Sequence, residues 1–519
     1  MRLKLKDQVG AVLFLIGLMT FRSSAQRPAR FDDSLVVAPH YVEYLSDTDE
    51  RFARQAAELK RRIGSAPHVL LGFATGLTIQ FPAVNLSQKV TENHLAGTLG
   101  EIDRVVERAR ANNLVVHLTL MSGFFHGAND LRSAAIRQDV RNAQWFADGW
   151  IADPSVPASA SDVPSSAWIT PSRYAKPLRA RMEEGARIVG SRLAAHMMER
   201  PETLLTVSGD GEVELSFERS NPAGERVTAQ PQYADYSPFM IEEFRDWIQR
   251  RNYQGDRSPS TDDNRDGRTF NGDFKTSFAT WRLRYFDSSG PIPYSRYQAM
   301  TEKLRASGPD FLEGGFDAPR VPRPADPYWE LWMQFRREVI ANYVRDFASW
   351  ITTSPAPKST FTIPRSRFYS HQIPADFLFG QKKSQRLESS ASPAETALIS
   401  PIGSAGVTAF NTFDGRTHSR TGTEELFKLL SMSSRHWGIF EYNLSVPAGP
   451  ATNIGPSTDM AYYMAELRKL YEYRPHVIVP FAWTDMPHLK NMDFQNSMFE
   501  AALKRFITEV GDKPWTPRN

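Results

Sequence analysis

Eight short apolar runs alternate with helix-forming stretches along almost the whole of this 519-residue chain. SLVVAPHYVEYLS, PHVLLGFATG, NLVVHLTLMSGF and TLLTVSGDGEVELSF read as strands one to four. STFTIPRSRFYSHQIP, GVTAFNTFDG, HWGIFEYN and HVIVPFAWTDMP read as strands five to eight. The first helix, DERFARQAAELKRRIG, repeats Phe52, Ala56, Leu59 and Ile63 at helical spacing, with Asp47 or Asp49 as N-cap and Gly64 at its end. Similar stretches follow nearly every other strand, and the third, TPSRYAKPLRARMEEGARIVGSRLAAHMMERP, offers Thr170 or Ser172 as its cap. Strand then helix, repeated eight times, predicts an α/β fold in which a parallel sheet closes on itself, the (β/α)8 or TIM barrel. An open doubly wound sheet would want a glycine-rich turn after an early strand, and neither GxGxxG nor GxxxxGK[ST] occurs.

Two long loops are inserted after strands three and four. The first, about residues 124–170, holds QWFADGW and the run SVPASASDVPSSA. The second, about residues 219–326, is mostly polar but contains one clear helix, SPFMIEEFRDWIQRR, with Ser237 as N-cap and Pro238 at the first helical position. Connections of this length in a compact domain usually carry function. The first 25 residues read as a signal peptide. Arg2, Lys4 and Lys6 are basic, residues 9–21 are apolar but short for a membrane span, and Ser23-Ser24-Ala25 suits a signal peptidase. Cleavage after Ala25 leaves residues 26–519 as a single catalytic domain, exported to the periplasm or the medium and free of the membrane. With no cysteine in the chain, disulfides and a thiol nucleophile are excluded. A net charge of +3 without a dense Lys/Arg run argues against a nucleic-acid partner.

A barrel builds its active site from residues at the C-terminal ends of its strands. Here nearly every strand end is polar or aromatic: His40 and Glu43 after strand one, Asp210, Glu212 and Glu214 after four, and Tyr369, His371 and Gln372 after five. Asn411 and Asp414 follow strand six, Glu441 and Asn443 strand seven, and Trp483 and Asp485 strand eight. Carboxylates on two parallel strands suit cleavage of a glycosidic bond. One, kept protonated, donates to the leaving oxygen; the other, ionised, attacks the anomeric carbon. Glu212 and Glu214 share a face by strand alternation and compete for the role of acid, with Glu212 preferred. Asp210, on that face too, can raise either pKa by like-charge repulsion or touch substrate. Glu441 is the expected nucleophile. His40, Tyr369, His371, Gln372, Asn411 and Asn443 are candidates to bind sugar hydroxyls, and Trp483 to stack beneath a sugar ring.

Glutamates after strands four and seven with a tryptophan after strand eight make the chain resemble the retaining (β/α)8 glycoside hydrolases, the clan that includes β-galactosidases and cellulases. YSPFMIEEFRDWIQRR and FQNSMFEAALKRFI are similar to segments of bacterial β-galactosidase-like enzymes, and GDGEVELSF is similar to the acid-bearing GEL segment of β-amylase barrels. The resemblance implies a retaining two-carboxylate hydrolase of O-glycosidic bonds in an oligo- or polysaccharide. It differs at one place: the clan usually has Asn immediately before the acid, and here Gly211 stands there.

DDNRDGRTFNGD has the spacing of a calcium loop, with Asp262, Asn264, Asp266, the backbone oxygen of Arg268 and Asp273 as ligands of a structural Ca2+. No cofactor is required for the chemistry. There is no HExxH for a catalytic metal and no GxSxG elbow for a serine hydrolase. A barrel that binds carbohydrate without cleaving it is the alternative.

Overall fold

The computed structural model describes residues 31–81, 86–121, 130–145, 171–172, 175–211, 213, 216–217, 232–233, 235–250, 291, 293, 295, 327–372, 399, 402–408, 420–444, 459–490 and 492–518. Eight parallel strands form the centre: β1 (Leu35–Val37), β2 (Val69–Thr78), β3 (Val115–Met121), β4 (Leu204–Gly209), β5 (Phe368–Tyr369), β6 (Ala405–Thr408), β7 (Trp437–Tyr442) and β8 (Val477–Pro480). Each overlaps one of the eight apolar runs. Their order is β5-β4-β3-β2-β1-β8-β7-β6. Parallel bridges Tyr369↔Ser404 and Gln372↔Val407 then join β5 to β6 and close the barrel.

That last seam is short, and a side chain helps to hold it. Ser370 N donates to Ser404 O at 3.0 Å and Thr408 N to Gln372 O at 2.9 Å. Between them the Ser370 hydroxyl donates to Gly406 O at 3.0 Å and accepts from Gly406 N at 2.9 Å. The hydroxyl thus substitutes for a missing pair of ladder bonds, since it can act as donor and acceptor at once.

Nine helices of eight residues or more are described: α1 (Asp49–Ile63), α2 (Ala96–Ala111), α3 (Leu131–Gln138), α4 (Lys176–Glu199), α5 (Pro238–Arg250), α6 (Pro327–Thr352), α7 (Arg420–Ser433), α8 (Met460–Glu472) and α9 (Met498–Val510). The cap of α1 is Thr48, not a neighbouring Asp: its side chain accepts from Arg51 N at 3.2 Å. Asp47 is instead drawn to Tyr41 and Arg51. Helix α4 starts later than expected, at Lys176 without a side-chain cap, because Pro177 pre-sets its first turn. Ser237 does cap α5, accepting from Met240 N at 3.3 Å.

Side chains alternate across the barrel wall. Val37, Phe73, Leu77, Val116, Leu118, Leu120, Val207, Phe368, Val407, Trp437, Ile439 and Ile478 join the helices in one outer core. Val36, Ala38, Ala74, Val115, Tyr369, Phe440, Val477 and Val479 form an inner core together with Phe31. Phe31 closes the floor: its carbonyl bonds His476 Nε2 at 2.8 Å, and Arg367 lies 4.8 Å above its ring.

The inner core has one large ring at its centre. A Cβ on Gly438 would stand 2.8 Å from Phe440 Cζ, and one on Gly406 would overlap Phe440 Cε2 and the Ser370 carbonyl. Overpacking of this kind destabilises by about 1–3 kcal/mol. Gly406→Ala should therefore lower the free energy of unfolding by an amount in that range, read as a lower midpoint in denaturant. Gly100→Ala, in α2 with open space around it, should instead stabilise by up to about 1 kcal/mol. Equal midpoints for the two variants would contradict this account of the barrel interior.

Candidate active site

Strand β7 carries a carboxylate at its C-terminal end. Along β7–β8 the partners run Ile439↔Ile478 and then Tyr442↔Pro480, so three steps on β7 oppose two on β8. The extra residue is Glu441, with φ 53°, an uncommon backbone for a residue with a side chain. Regular alternation would turn Glu441 outward behind Trp437 and Ile439. The bulge shifts the phase, and Tyr442 takes the outward place, its ring 6.2 Å from Phe499 on α9. Glu441 is left half-buried at the C-terminal end of the strand. Bulges beside active sites commonly re-aim one side chain in this way.

Beneath it, two imidazoles stack on Phe440. His117 stacks on its ring at 4.7 Å and 18°, and His371 at 4.9 Å and 26°. The two imidazoles belong to a polar sector on the inner faces of β3 and β4. His117 Nδ1 bonds Thr206 Oγ1 at 2.7 Å and its Nε2 bonds Ser208 Oγ at 3.0 Å. Ser208 Oγ also meets Thr119 Oγ1 at 3.0 Å and His371 Nδ1 at 3.3 Å. His40 stands at the end of β1, edge-on to Phe481 at 5.1 Å, densely surrounded yet with part of its surface open.

Burial lowers the pKa of His40 to about 4. Burial, then the nearness of His40, lowers that of His371 to about 3. Burial, then His371 and His40, holds His117 well below the usual imidazole range. At neutral pH all three are uncharged and act through hydrogen bonds.

Strand β4 ends in a sharp turn at Gly209, where φ is 155°. The next residue, Asp210, is fully buried and turned toward α6, where Tyr343 OH donates to its Oδ2 at 3.0 Å. It is held by the scaffold rather than offered to a sugar. Gln372, expected to touch substrate, reaches across to the same turn: its Nε2 donates to the Asp210 carbonyl, and its Oε1 accepts from Val213 N at 3.0 Å. Glu212, Glu214, Asn411 and the proposed calcium ligands Asp262, Asn264, Asp266, Arg268 and Asp273 lie outside the described residues. Among the described residues, no three His, Asp or Glu side chains converge on a point that could hold a metal ion.

Four other candidates are committed to contacts within the scaffold. Tyr369 faces the inner core one layer down, and its hydroxyl bonds His476 at 3.2 Å in the floor. Trp483 is turned outward and fully buried, with Nε1 donating to Gln55 Oε1 at 2.8 Å and Arg62 lying 5.2 Å over its ring, so neither face is open to a sugar. Asn443 is buried and ties β7 to the loop after β8 by donating to Met492 O at 2.7 Å. Glu43 does the same for β1, its Oε1 accepting from Thr484 Oγ1 at 3.0 Å and Asp485 N at 2.7 Å.

Sequence reasoning overlooked the polar sector. Its signal is present in VVHLTLM and LLTVSG, where His117, Thr119, Thr206 and Ser208 alternate with apolar residues and so share the inner face. It also overlooked Asp235, whose carboxylate accepts from Trp145 N at 3.1 Å and Ser237 N at 2.7 Å and thereby joins the two inserted loops. Burial raises the pKa of Asp235 to about 6.

An unfolded imidazole titrates near 6.5. His40 and His371 have folded pKa values below that, so the unfolded chain binds more protons in acid. Their contribution to stability is complete above pH 6.5 and is lost as pH falls through the folded values, about 4 for His40 and about 3 for His371. His371→Gln should therefore show a smaller drop in Tm between pH 7 and pH 5 than the wild type does; an unchanged drop would mean that His371 is not held neutral.

Neither a protein-family model nor a curated protein matches the sequence. Solved structures do match in shape. The catalytic domain of β-amylase from Paenibacillus polymyxa aligns over 92% of this chain and 99% of its own, with 10% identity and a TM-score of 0.52. A β-galactosidase from Bacillus circulans sp. alkalophilus aligns at 8% identity and TM-score 0.47, and one from Rahnella sp. R3 at 11% and 0.46. Both cover 92% of this chain, which spans only 55% of theirs. The likeness to barrel glycoside hydrolases expected from the sequence is thus met in fold: this chain is a (β/α)8 barrel similar in architecture to the β-amylase catalytic domain.

Proposed function

We propose that this protein is an exported glycoside hydrolase that cleaves O-glycosidic bonds of an oligo- or polysaccharide with net retention. The observation that carries this reading is the bulge at Glu441, which sets a carboxylate apart from the outer core at the C-terminal end of β7. In the mechanism, Glu441 attacks the anomeric carbon from one face while the acid, Glu212 or its rival Glu214, protonates the departing oxygen. A glycosyl ester forms on Glu441. The acid, now a base, takes a proton from water, which attacks the anomeric carbon, displaces the Glu441 carboxylate and releases the sugar with its original configuration. The neutral imidazoles of His40 and His371 are suited to hydrogen-bond sugar hydroxyls without adding charge near the developing oxocarbenium ion. Trp483 and Tyr369 have no part in this reading. Gly211 before Glu212, in place of Asn, favours a second reading, a barrel that binds carbohydrate without cleaving it.

The test is turnover of a panel of aryl glycosides and soluble polysaccharides by the mature protein. Glu441→Gln should abolish release, and Glu212→Gln should reduce kcat by about 10²–10⁴-fold. NMR of the first product should show the anomeric configuration of the substrate. Full activity in Glu441→Gln would remove it as nucleophile, and an inverted product would replace its role by that of a general base. Binding of a polysaccharide with no release from any substrate would favour the second reading.

A further inference from the structure

We infer that Gln372 is a positioning residue: its amide clamps the backbone of the turn after β4 at Asp210 and Val213, which flank the proposed acid Glu212 in the sequence. The inference rests on the glycosidase reading and deepens it. Gln372 is fully buried at the end of β5, anchored by its own place in the barrel seam, where its carbonyl accepts from Thr408 N at 2.9 Å. From that fixed backbone the side chain makes two bonds to the backbone of another strand end. It donates to Asp210 O and accepts from Val213 N at 3.0 Å. The two anchor points stand either side of position 212 in the chain. An amide presents a donor and an acceptor in one rigid plane and carries no charge. Asp210 is pinned again on its other side by Tyr343 of α6. The turn is therefore held from β5 and from α6, although Asp210 and Gln372 are separated by 162 positions in the sequence. An acid displaced by about 1 Å can lose on the order of 10²-fold in rate, and the described backbone offers this clamp against such displacement.

The inference makes a clear distinction between binding and chemistry. Gln372→Ala should lower kcat by about 10–100-fold with KM changed by less than about threefold. A residue that bound sugar directly would change KM instead. Gln372→Glu keeps the acceptor for Val213 N but, when ionised, sets a carboxylate oxygen against the Asp210 carbonyl; once protonated it donates again. Its kcat relative to wild type should therefore rise as pH falls, which loss of packing alone would not produce. Hydrogen exchange supplies a readout that needs no substrate: in Gln372→Ala the Val213 amide should exchange about tenfold faster or more, while amides of β2 and β3 keep their rates. Slow exchange at Val213 in that variant, or a kcat within twofold of wild type in a folded variant, overturns the inference. Full activity in Glu212→Gln and Glu214→Gln would instead overturn the acid assignment, whatever the exchange result.

Discussion

The ring of Phe440 fills the barrel interior because β6 and β7 leave it room, at Gly406 and Gly438, and because the imidazoles of His117 and His371 stack on it. With Phe440 committed inward and Tyr442 committed outward, the single residue between them can follow neither direction of the pleat. Glu441 takes up the mismatch as a bulge with positive φ. A left-handed backbone at a residue with a side chain typically costs 1 kcal/mol or more and persists only where neighbours dictate it. Here the neighbours are two well-buried aromatic rings, each contributing roughly 2–3 kcal/mol by its burial. Packing on either side therefore outweighs the local strain and sets the position of the carboxylate.

The polar sector follows from the same geometry. A barrel interior lined wholly by large aliphatic residues would leave no space for Phe440, so β3 and β4 contribute small hydroxyl residues and one imidazole, each partnered by another. Buried polar groups are tolerated when they are satisfied in this way. Desolvation keeps the histidines neutral, and the network that fills the interior reaches up to His371 and ends beside the mouth.

The mouth is tied to the barrel by side chains that cross between strands. Ser370 fastens the seam of β5 and β6, Asn443 and Glu43 hold the loop after β8, and Gln372 holds the turn after β4. Each bonds to backbone groups that the regular ladders leave unpaired at strand ends, where a buried unpaired amide or carbonyl would cost free energy. Several polar residues that mark a strand end in the sequence thus serve to order the loops.

The sequence by itself determined the eight strands, their order of appearance and their pairing with helices, because hydrophobic periodicity is a local property that burial on two sides imposes on every strand. It also marked Glu441, His371 and His40, since position at the end of an apolar run can be read along the chain. What only the tertiary structure decided is which way each strand-end side chain faces. Period-two alternation fails at the places where strands end: the turn at Gly209, the bulge at Glu441 and the bend that carries Trp483 outward each shift the phase. The partners that settle the outcome, Tyr343 for Asp210, His476 for Tyr369, Gln55 and Arg62 for Trp483, lie more than a hundred residues away in the chain. No local pattern can encode such pairings, because they arise only when the barrel closes and brings distant strand ends into one ring.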